Sequence, residues 1–295
     1  MPNHSRPAYP EAPATWRPSR RLVTIALVLL VVAALLVAYV VTTRRTADPR
    51  VGRPPGQVLL DATFDDGELD PAIWNTCHWW GDQGCTIASN DELEWYVPEQ
   101  VSVADGALRL TAERNPIRGT DNKPYDFRSG MVTTGPPPRR EDAPAKLAFT
   151  YGSVEARLRV PAGRGLWPAL WLLPASRESR PEIDLLEVLG QDPSEVIMHL
   201  HQESRSVESP SKRYRVRGPS LAEDWHTVRL DWSSGRLEFF VDDVRVWRVK
   251  GRQVPDEPMY VVLNLAVGGV YPGPPDPDTP FPATFSVDYL RITAA

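Results

Sequence analysis

The stretch that decides the fold reads P-E-I-D-L-L-E-V-L-G and runs from Pro181 to Gly190. Its apolar residues predict a β-strand with one buried face. Three carboxylates, Glu182, Asp184 and Glu187, interrupt this apolar run. Charges are costly in a half-buried strand unless they have a function. Because side chains alternate along a strand, Glu182 and Asp184 share one face, whereas Glu187 has the wrong parity.

One extra residue at Leu185 or Leu186, a β-bulge, returns Glu187 to the face of the other two carboxylates. Bulges are frequent beside active sites because they re-aim a side chain. About four strand steps then separate the two glutamates, roughly 13 Å at about 3.3 Å per residue. Side chains that lean together close this to about 5 Å, the separation found in retaining glycosidases. The alternative interpretation is an ordinary strand with an exposed acidic face.

Composition limits the class of protein. The 295 residues are 42% hydrophobic and 24% charged, which is typical of a globular protein. The net charge of −5 gives no support to nucleic-acid binding and disfavours an acidic polymer as substrate. The 31 prolines, without a long amphipathic helical pattern, favour strands and rigid loops, and the 10 tryptophans suit the stacking of sugars.

Three segments precede the predicted folded domain. Residues 1–21 are polar and proline-rich and predict a disordered tail on the cytoplasmic side. Residues 22–41 form an apolar run long enough to span a bilayer as one helix. A cleaved signal peptide and a buried soluble helix are the alternatives. Residues 42–57 combine prolines with arginines and predict an exposed linker.

Residues 58–295 read as one all-β domain. Turn signals recur between short alternating segments, and Asp105-Gly106 and Ser233-Ser234-Gly235 are hairpin signals. No segment has the helical period. The pattern predicts a two-sheet antiparallel β-sandwich.

The E-I-D-L-L-E motif resembles the signature of glycoside hydrolase family 16, in its bulged, laminarinase-like branch. Five other segments resemble the family in the same order along the chain. They are Tyr151 to Pro174, W-H-T-V-R-L-D-W (Trp225 to Trp232), F-F-V-D-D (Phe239 to Asp243), L-N-L-A-V-G-G (Leu263 to Gly269) and V-D-Y-L-R-I (Val287 to Ile292). The resemblance extends from about Val58 to the C-terminus. It implies a jelly roll with a long cleft across its concave sheet.

The resemblance also implies roles for the three carboxylates. By position in the motif, Glu182 is the expected nucleophile and Glu187 the expected general acid/base, with net retention of anomeric configuration. Asp184 can hydrogen-bond one of these glutamates, and its charge would hold a neighbouring carboxyl protonated. This raises the pKa of that carboxyl towards the working pH, as a general acid requires. No metal or organic cofactor is needed for this chemistry.

Two tryptophans and two histidines are the next candidates. Trp167 and Trp171 lie four apart in one strand and hence on one face, where an indole can stack on a sugar while its N–H bonds a hydroxyl. Packing in the core is the alternative. The family carries a histidine after the catalytic strand, and His201 aligns with it better than His199. A metal site with both histidines lacks a recognisable third ligand.

The remaining substrate-binding candidates rest mainly on position. Asn90 and Glu92 match a family segment in which such a side chain reaches the sugar, although both also suit turns. Arg128 is a candidate subsite arm, and Asn264 lies in a strand expected to cross the concave sheet. Other candidates are the stacking residues Trp79, Trp80 and Trp95, with core packing as the alternative, and the cleft-rim loop Gly135 to Ala148.

A structural calcium ion, present in many family members, is doubtful in this chain. Asp288 fits one family position, but Thr63 stands where the first-strand glutamate is expected. Asp61 and Gly106 could still contribute oxygen ligands.

The chain has only two cysteines, Cys77 and Cys85, which can form a disulfide in an oxidising compartment, with two unpaired thiols as the alternative. Equal numbers of arginines on both sides of residues 22–41 leave the membrane orientation open. We place the domain outside the cell because a polysaccharide hydrolase meets its substrate there.

The sequence therefore predicts a monomeric, membrane-tethered endo-β-glucanase that acts on β-1,3- or mixed-linkage glucan. A secreted form after signal cleavage is the alternative localisation. The alternative functions are a galactan hydrolase of the same family, a transglycosylase of the cell's own surface glycan and a non-catalytic carbohydrate-binding jelly roll. The complete set of Glu182, Asp184 and Glu187 argues against the last of these.

Overall fold

The computed structural model describes residues 56–80, 85–140, 142–202 and 211–295. The predicted tail at 1–21, the predicted anchor at 22–41 and all but the last two residues of the predicted linker at 42–57 lie outside these ranges. Within them, no helix has the length and apolar character needed to cross a membrane.

Strands dominate the described chain, and its helical elements are two 3-10 turns, Ala88–Asn90 and Pro98–Gln100. In chain order the strands are β1 (Val58–Ala62), β2 (Glu94–Tyr96), β3 (Val101–Ala104), β4 (Ala107–Ala112), β5 (Ile117–Arg118), β6 (Pro124–Tyr125), β7 (Phe127–Ser129), β8 (Met131–Thr133), β9 (Gly152–Arg159), β10 (Leu166–Pro174), β11 (Glu182–Glu187), β12 (Glu195–His201), β13 (Lys212–Arg217), β14 (His226–Ser233), β15 (Arg236–Val241), β16 (Val244–Lys250), β17 (Met259–Val267) and β18 (Ala283–Ala294).

Two antiparallel sheets carry the fold. The larger has eight strands in the order β16-β15-β14-β9-β18-β4-β3, with β1 also paired to β18. The smaller has six strands in the order β13-β12-β11-β10-β17-β8. The predicted all-β antiparallel sandwich is confirmed. One exception is the short pair β2–β7, which is parallel.

The hydrophobic core lies between the two sheets. Trp232, Phe239 and Phe285 enter it from the eight-stranded sheet, and Leu170 and Met198 enter it from the six-stranded sheet. Their strand neighbours on the other parity point away from this core, as the period of two requires. The six-stranded sheet therefore has an inner apolar face and an outer face that is available for a site.

Turn chemistry explains two of the chain reversals. Asp105 and Gly106 have φ values of 52° and 69° between β3 and β4, the left-handed pair that a tight hairpin needs. Gly130 separates β7 from β8. A Cβ on Gly130 would lie 2.4 Å from the carbonyl oxygen of Gln100, so only glycine fits this close approach.

Adjacent phenylalanines on β15 test the inner and outer faces of the larger sheet. Phe239 is fully buried and stacks on Trp247, whereas Phe240 points outward under the guanidinium of Arg229. We expect Phe239→Ala to lower the free energy of unfolding by about 3–5 kcal/mol. The matched Phe240→Ala variant should lose about 1 kcal/mol, because it removes mainly a cation–π contact. Urea denaturation measures both, and equal losses would contradict the assignment of faces.

Candidate active site

A β-bulge on β11 brings the three carboxylates onto one face. Against β10, Leu170 pairs with Leu186 but Trp171 pairs with Asp184, so Leu185 is the extra residue. The register against β12 shifts at the same point, between Asp184 and Glu187. Both leucines are buried in the core between the sheets. Glu187 consequently returns to the outer face, and the predicted bulge is confirmed.

The outer face of the six-stranded sheet forms the floor of a cleft of about 790 Å³. Most of the predicted site residues line it, and they come from different strands and loops. They are Glu182, Asp184, Glu187, Trp167, Trp171, His201, Asn90, Glu92 and Asn264, together with Trp79, Trp80 and His199. Such residues, separated by up to 185 positions in the chain (Trp79 and Asn264), thus meet in one cleft.

The described residues of the candidate rim loop Gly135 to Ala148 do not line the cleft, and neither do Arg128 and Trp95. Both lie on the parallel pair β2–β7, where they are register partners. Trp95 packs with Val97 and Tyr125 in a separate small cluster. The backbone of Arg128 bridges to Glu113. The sequence prediction placed both near substrate because it could not foresee that this segment pairs in parallel beside the cleft.

Two histidines on β12 contact the carboxylates. His199 Nδ1 forms a hydrogen bond with Glu187 Oε2. His201 Nε2 lies 3.5 Å from Glu182 Oε1 and 3.3 Å from Asp184 Oδ2. The sequence prediction gave weight to His201 and little to His199. The signal for His199 was its parity, because two residues that alternate in a strand share one face.

Burial and mutual repulsion dominate the electrostatics of the three acids. Burial, reinforced by the charges of Asp184 and Glu187, raises the pKa of Glu182 well above its ordinary value, while His201 and Arg180 oppose the rise. Burial and the charge of Glu187 raise the pKa of Asp184 in the same way. When ionised, Asp184 acts on Glu182, because its negative charge raises the pKa of that carboxyl. Three buried negative charges are too costly to coexist, so the cluster retains protons.

The cluster also supplies the third ligand that the sequence did not reveal. One ligand atom each from Asp184, His199 and His201 lies within 4.8 Å of the others. However, His199 Nδ1 is already hydrogen-bonded to Glu187, and His201 lies within ion-pair distance of Glu182. We assign these atoms to the proton network of the acids and not to a metal.

The two acids considered for a structural calcium ion are each paired with an arginine. The Asp288 carboxylate accepts a hydrogen bond of 2.8 Å from Arg157. The Asp61 carboxylate lies 2.8 Å from the guanidinium of Arg291. These pairs join neighbouring strands of the eight-stranded sheet.

Trp171 is held in place from behind by a chain of hydrogen bonds. Its Nε1–H donates to Asn264 Oδ1 at 2.8 Å, and Asn264 Nδ2 donates to the Tyr96 hydroxyl at 3.0 Å. The Trp171 N–H is therefore engaged by Asn264 in this structure. Trp167 differs, since its Nε1 has no hydrogen-bond partner among the described residues and its ring packs against Tyr271.

A second pair of acids supports this part of the cleft. Glu92 accepts hydrogen bonds from Ile87 N–H and the Asn90 side chain, while Glu94 accepts one from Val267 N–H. Burial and the charge of Glu92 raise the pKa of Glu94 well above its ordinary value. Asn90 and Glu92 thus bond to each other as well as lining the cleft. Asn90 and Glu92 therefore have both of the roles that the sequence left open, since they belong to a turn and also form a wall of the cleft.

The disulfide between Cys77 and Cys85 positions another wall of the cleft. Cys77 and Cys85 are bonded, as predicted, with their Cα atoms 4.9 Å apart. Between them, His78 is buried, stacks on Trp80 at 3.9 Å and lies against Trp171. Burial lowers the pKa of His78 to about 3, so it packs as a neutral ring. The disulfide thereby fixes an aromatic wall beside the carboxylates.

The fold is a jelly-roll sandwich with a long cleft over one sheet. The cleft has aromatic walls and holds two separated glutamates with a third acid between them. These features define a protein of the glycan-cleaving class. The family model described as "Glycosyl hydrolases family 16" matches residues 90–290. The chain belongs to this family.

Known relatives agree with the assignment. The endo-1,3-1,4-beta-glycanase EglC of Rhizobium meliloti is 34% identical over 79% of this chain, which spans 51% of that protein. The beta-glucanase of Rhodothermus marinus is 30% identical over 81% of this chain and 85% of its own length. The catalytic domain of an endo-1,3-beta-glucanase (laminarinase) from Thermotoga petrophila superposes with a TM-score of 0.70 at 31% identity, covering 80% of this chain and 97% of the other. The chain thus spans about half the length of one relative and most of the other two.

The raised pKa of Asp184 predicts how the stability of the folded chain depends on pH. A carboxyl whose pKa is higher in the folded than in the unfolded chain makes stability fall as pH rises above the unfolded value, here 3.8. Asp184→Asn removes this loss. We expect the variant to gain stability over the wild type at about pH 7 and to gain little at about pH 4.

Chemical denaturation at both pH values measures the effect. Asp256→Asn, a change at an exposed acid, is the control and should give the same small difference at both. A stability gain of Asp184→Asn that does not grow with pH would show that Asp184 is not strained by its charge.

Proposed function

We propose that this protein is a retaining, endo-acting glycoside hydrolase that cleaves β-1,3- or mixed-linkage glucan. The observation that carries the proposal is the bulged strand β11, which presents Glu182, Asp184 and Glu187 together in an open cleft. An open cleft admits the interior of a polymer, as endo-acting cleavage requires. The relatives, which include a beta-glucanase and a laminarinase, support a β-glucan as substrate.

In the first step, the ionised Glu182 carboxylate attacks the anomeric carbon, while Glu187 donates its proton to the leaving glycosidic oxygen. The glycosidic C–O bond breaks, and a covalent bond forms between the sugar and a Glu182 oxygen. His199 supports Glu187, because their hydrogen bond requires a proton between Nδ1 and Oε2 whichever atom carries it. Glu187 therefore has a proton source at hand.

In the second step, water replaces the leaving sugar. Glu187, now ionised, takes a proton from the water, whose oxygen attacks the same carbon and releases Glu182. Two inversions at one carbon give net retention. A sugar hydroxyl in place of water would give transglycosylation with the same residues.

Asp184 and His201 prepare Glu182 for attack. Burial and the charge of Glu187 raise the pKa of Asp184 and so favour its neutral form, which places no negative charge beside the nucleophile. His201 Nε2 lies within 3.5 Å of Glu182 and lowers its pKa against the effect of burial. Both effects favour the ionised form of Glu182 that the attack requires.

We further propose that residues 22–41 tether the enzyme to the cell membrane with the jelly roll outside. The apolar run and the disulfide between Cys77 and Cys85 support this arrangement, because a disulfide suits an oxidising compartment. Secretion after cleavage of a signal peptide is the alternative. We expect the enzyme to act as a monomer.

The first test is hydrolysis of laminarin by the full chain. We expect wild type to release reducing sugar and Glu182→Gln, which cannot form the glycosyl-enzyme bond, to release none. An unchanged melting temperature is the control that the variant is folded. Equal activity of the two proteins would disprove the nucleophile assignment, and silence of both on a panel of β-glucans and galactans would favour a binding protein.

The second test separates the roles of the glutamates. Glu187→Gln should lower activity on laminarin by about 10²–10⁴-fold, because the leaving oxygen is no longer protonated. On an aryl β-glucoside of a laminari-oligosaccharide, whose leaving group needs no proton, the first step should stay fast. A burst of released phenol followed by slow turnover is expected, with azide accelerating the slow phase. The same burst from Glu182→Gln would reverse the assignments.

A further inference from the structure

Strand β13 reads K-R-Y-R-V-R and forms the edge of the six-stranded sheet beside β12. Its register places Arg213 opposite His199, Arg215 opposite Ile197 and Arg217 opposite Glu195. Partners in register point to the same face of a sheet. Because His199 lines the cleft, the three arginines stand on the cleft face of β13.

The residues of β13 that alternate with the three arginines lie on the inner side of the sheet, which confirms the assignment of its two faces. Tyr214 stacks on Trp247 of the eight-stranded sheet, and Val216 packs against the core between the sheets. Lys212 has the parity of these two residues and is the register partner of the buried Leu200. The strand thus carries one cation on its inner side and three on the side of the cleft.

Only part of this positive charge is neutralised. Glu195 and Asp192 pair with Arg215 and Arg217, and Glu195 lies 2.6 Å from Arg215. Arg213, in contrast, has no carboxylate within ion-pair distance among the described residues. Three cleft-facing arginines therefore face two acids. Arg213, the one without a carboxylate partner, is the register partner of His199 and lies beside Tyr271.

The charge of these arginines reaches the catalytic centre. Burial and the charge of Glu187 raise the pKa of Tyr271, whereas Arg215 and Arg213 lower it. Tyr271 lines the cleft and packs on Trp167, so its hydroxyl lies where the fields of Glu187 and the arginines meet. In the sheet, β13 is two strand spacings from β11, about 10 Å. A substituent on a sugar near the scissile bond lies within reach of Arg213.

We propose that the cleft accepts an anionic polysaccharide, whose carboxylate or sulfate group binds to Arg213 at the β13 edge. The inference rests on the proposed glycosidase function and specifies its substrate class. Arginine is suited to the task because its planar fork of N–H donors matches the oxygens of a carboxylate or sulfate. The net charge of −5, which argued against an acidic polymer, averages over the chain, whereas recognition depends on the local field.

Charged residues on an edge strand also have an ordinary explanation, because they prevent strands of neighbouring molecules from pairing. That role needs charge anywhere on the edge. It is equally well served by Lys212 on the other face and does not depend on the position of the charge in the cleft. Lys212 is therefore the matched control for Arg213.

The test compares three β-1,3-glucans with the full chain: unmodified laminarin, a carboxymethylated derivative and a hydroxyethylated derivative of similar bulk. We expect wild type to show a kcat/KM on the carboxymethylated polymer about tenfold higher than on the hydroxyethylated one, the effect of one charge-assisted hydrogen bond. Arg213→Gln should abolish this ratio. Lys212→Gln should preserve it, and high salt should reduce it in wild type.

A wild-type ratio near one would overturn the inference. Equal loss of the ratio in the Arg213 and Lys212 variants would overturn it too, because the effect would then be general electrostatic attraction. If no polymer is hydrolysed, the proposed function fails, but the inference is still tested by affinity electrophoresis. Retardation in gels with the carboxymethylated polymer that Arg213→Gln removes would support it, and retardation unaffected by that change would refute it.

Discussion

The conflict between burial and charge on β11 is the constraint on which the rest of the site depends. Its inner side chains must fill the core, yet both glutamates must face the cleft. A regular strand of this sequence satisfies only one demand, because Glu187 would then point into the core. The extra residue Leu185 resolves the conflict, since it and Leu186 both turn inward. The neighbouring strands adapt to this register shift, and the histidines of β12 meet the acids as a result.

Buried acids occur in pairs in and beside the cleft, and hydrogen-bond donors contact each pair. Glu182 and Asp184 have raised pKa values beside His201. Glu92 lines the same cleft, and Glu94, whose pKa is also raised, is fully buried. Such groups reduce the stability of the folded chain at neutral pH. The large core between the sheets and the small disulfide loop offset this cost, a common pattern in which a functional site is less stable than its scaffold.

The cleft is chemically polarised across the sheet. Aromatic and amide side chains lie on the side of β10 and β17, where the hydrogen bond from Trp171 to Asn264 holds the floor rigid. Basic side chains lie on the opposite edge, beyond His199. The carboxylates stand between these two regions. A polymer lying across the strands thus meets a stacking surface on one side of the scissile bond and positive charge on the other.

Local patterns in the sequence determined the strands, the hairpin at Asp105-Gly106, the disulfide and the bulged acidic strand, because alternation, turn residues and motif order are properties of neighbouring positions. Only the tertiary structure decided which side chains meet. It turned the Trp171 N–H towards Asn264, kept Arg128 out of the cleft and joined His199 to Glu187. Strand pairing across long stretches of chain sets these contacts, and so does the register between strands, which a single-residue slip would invert.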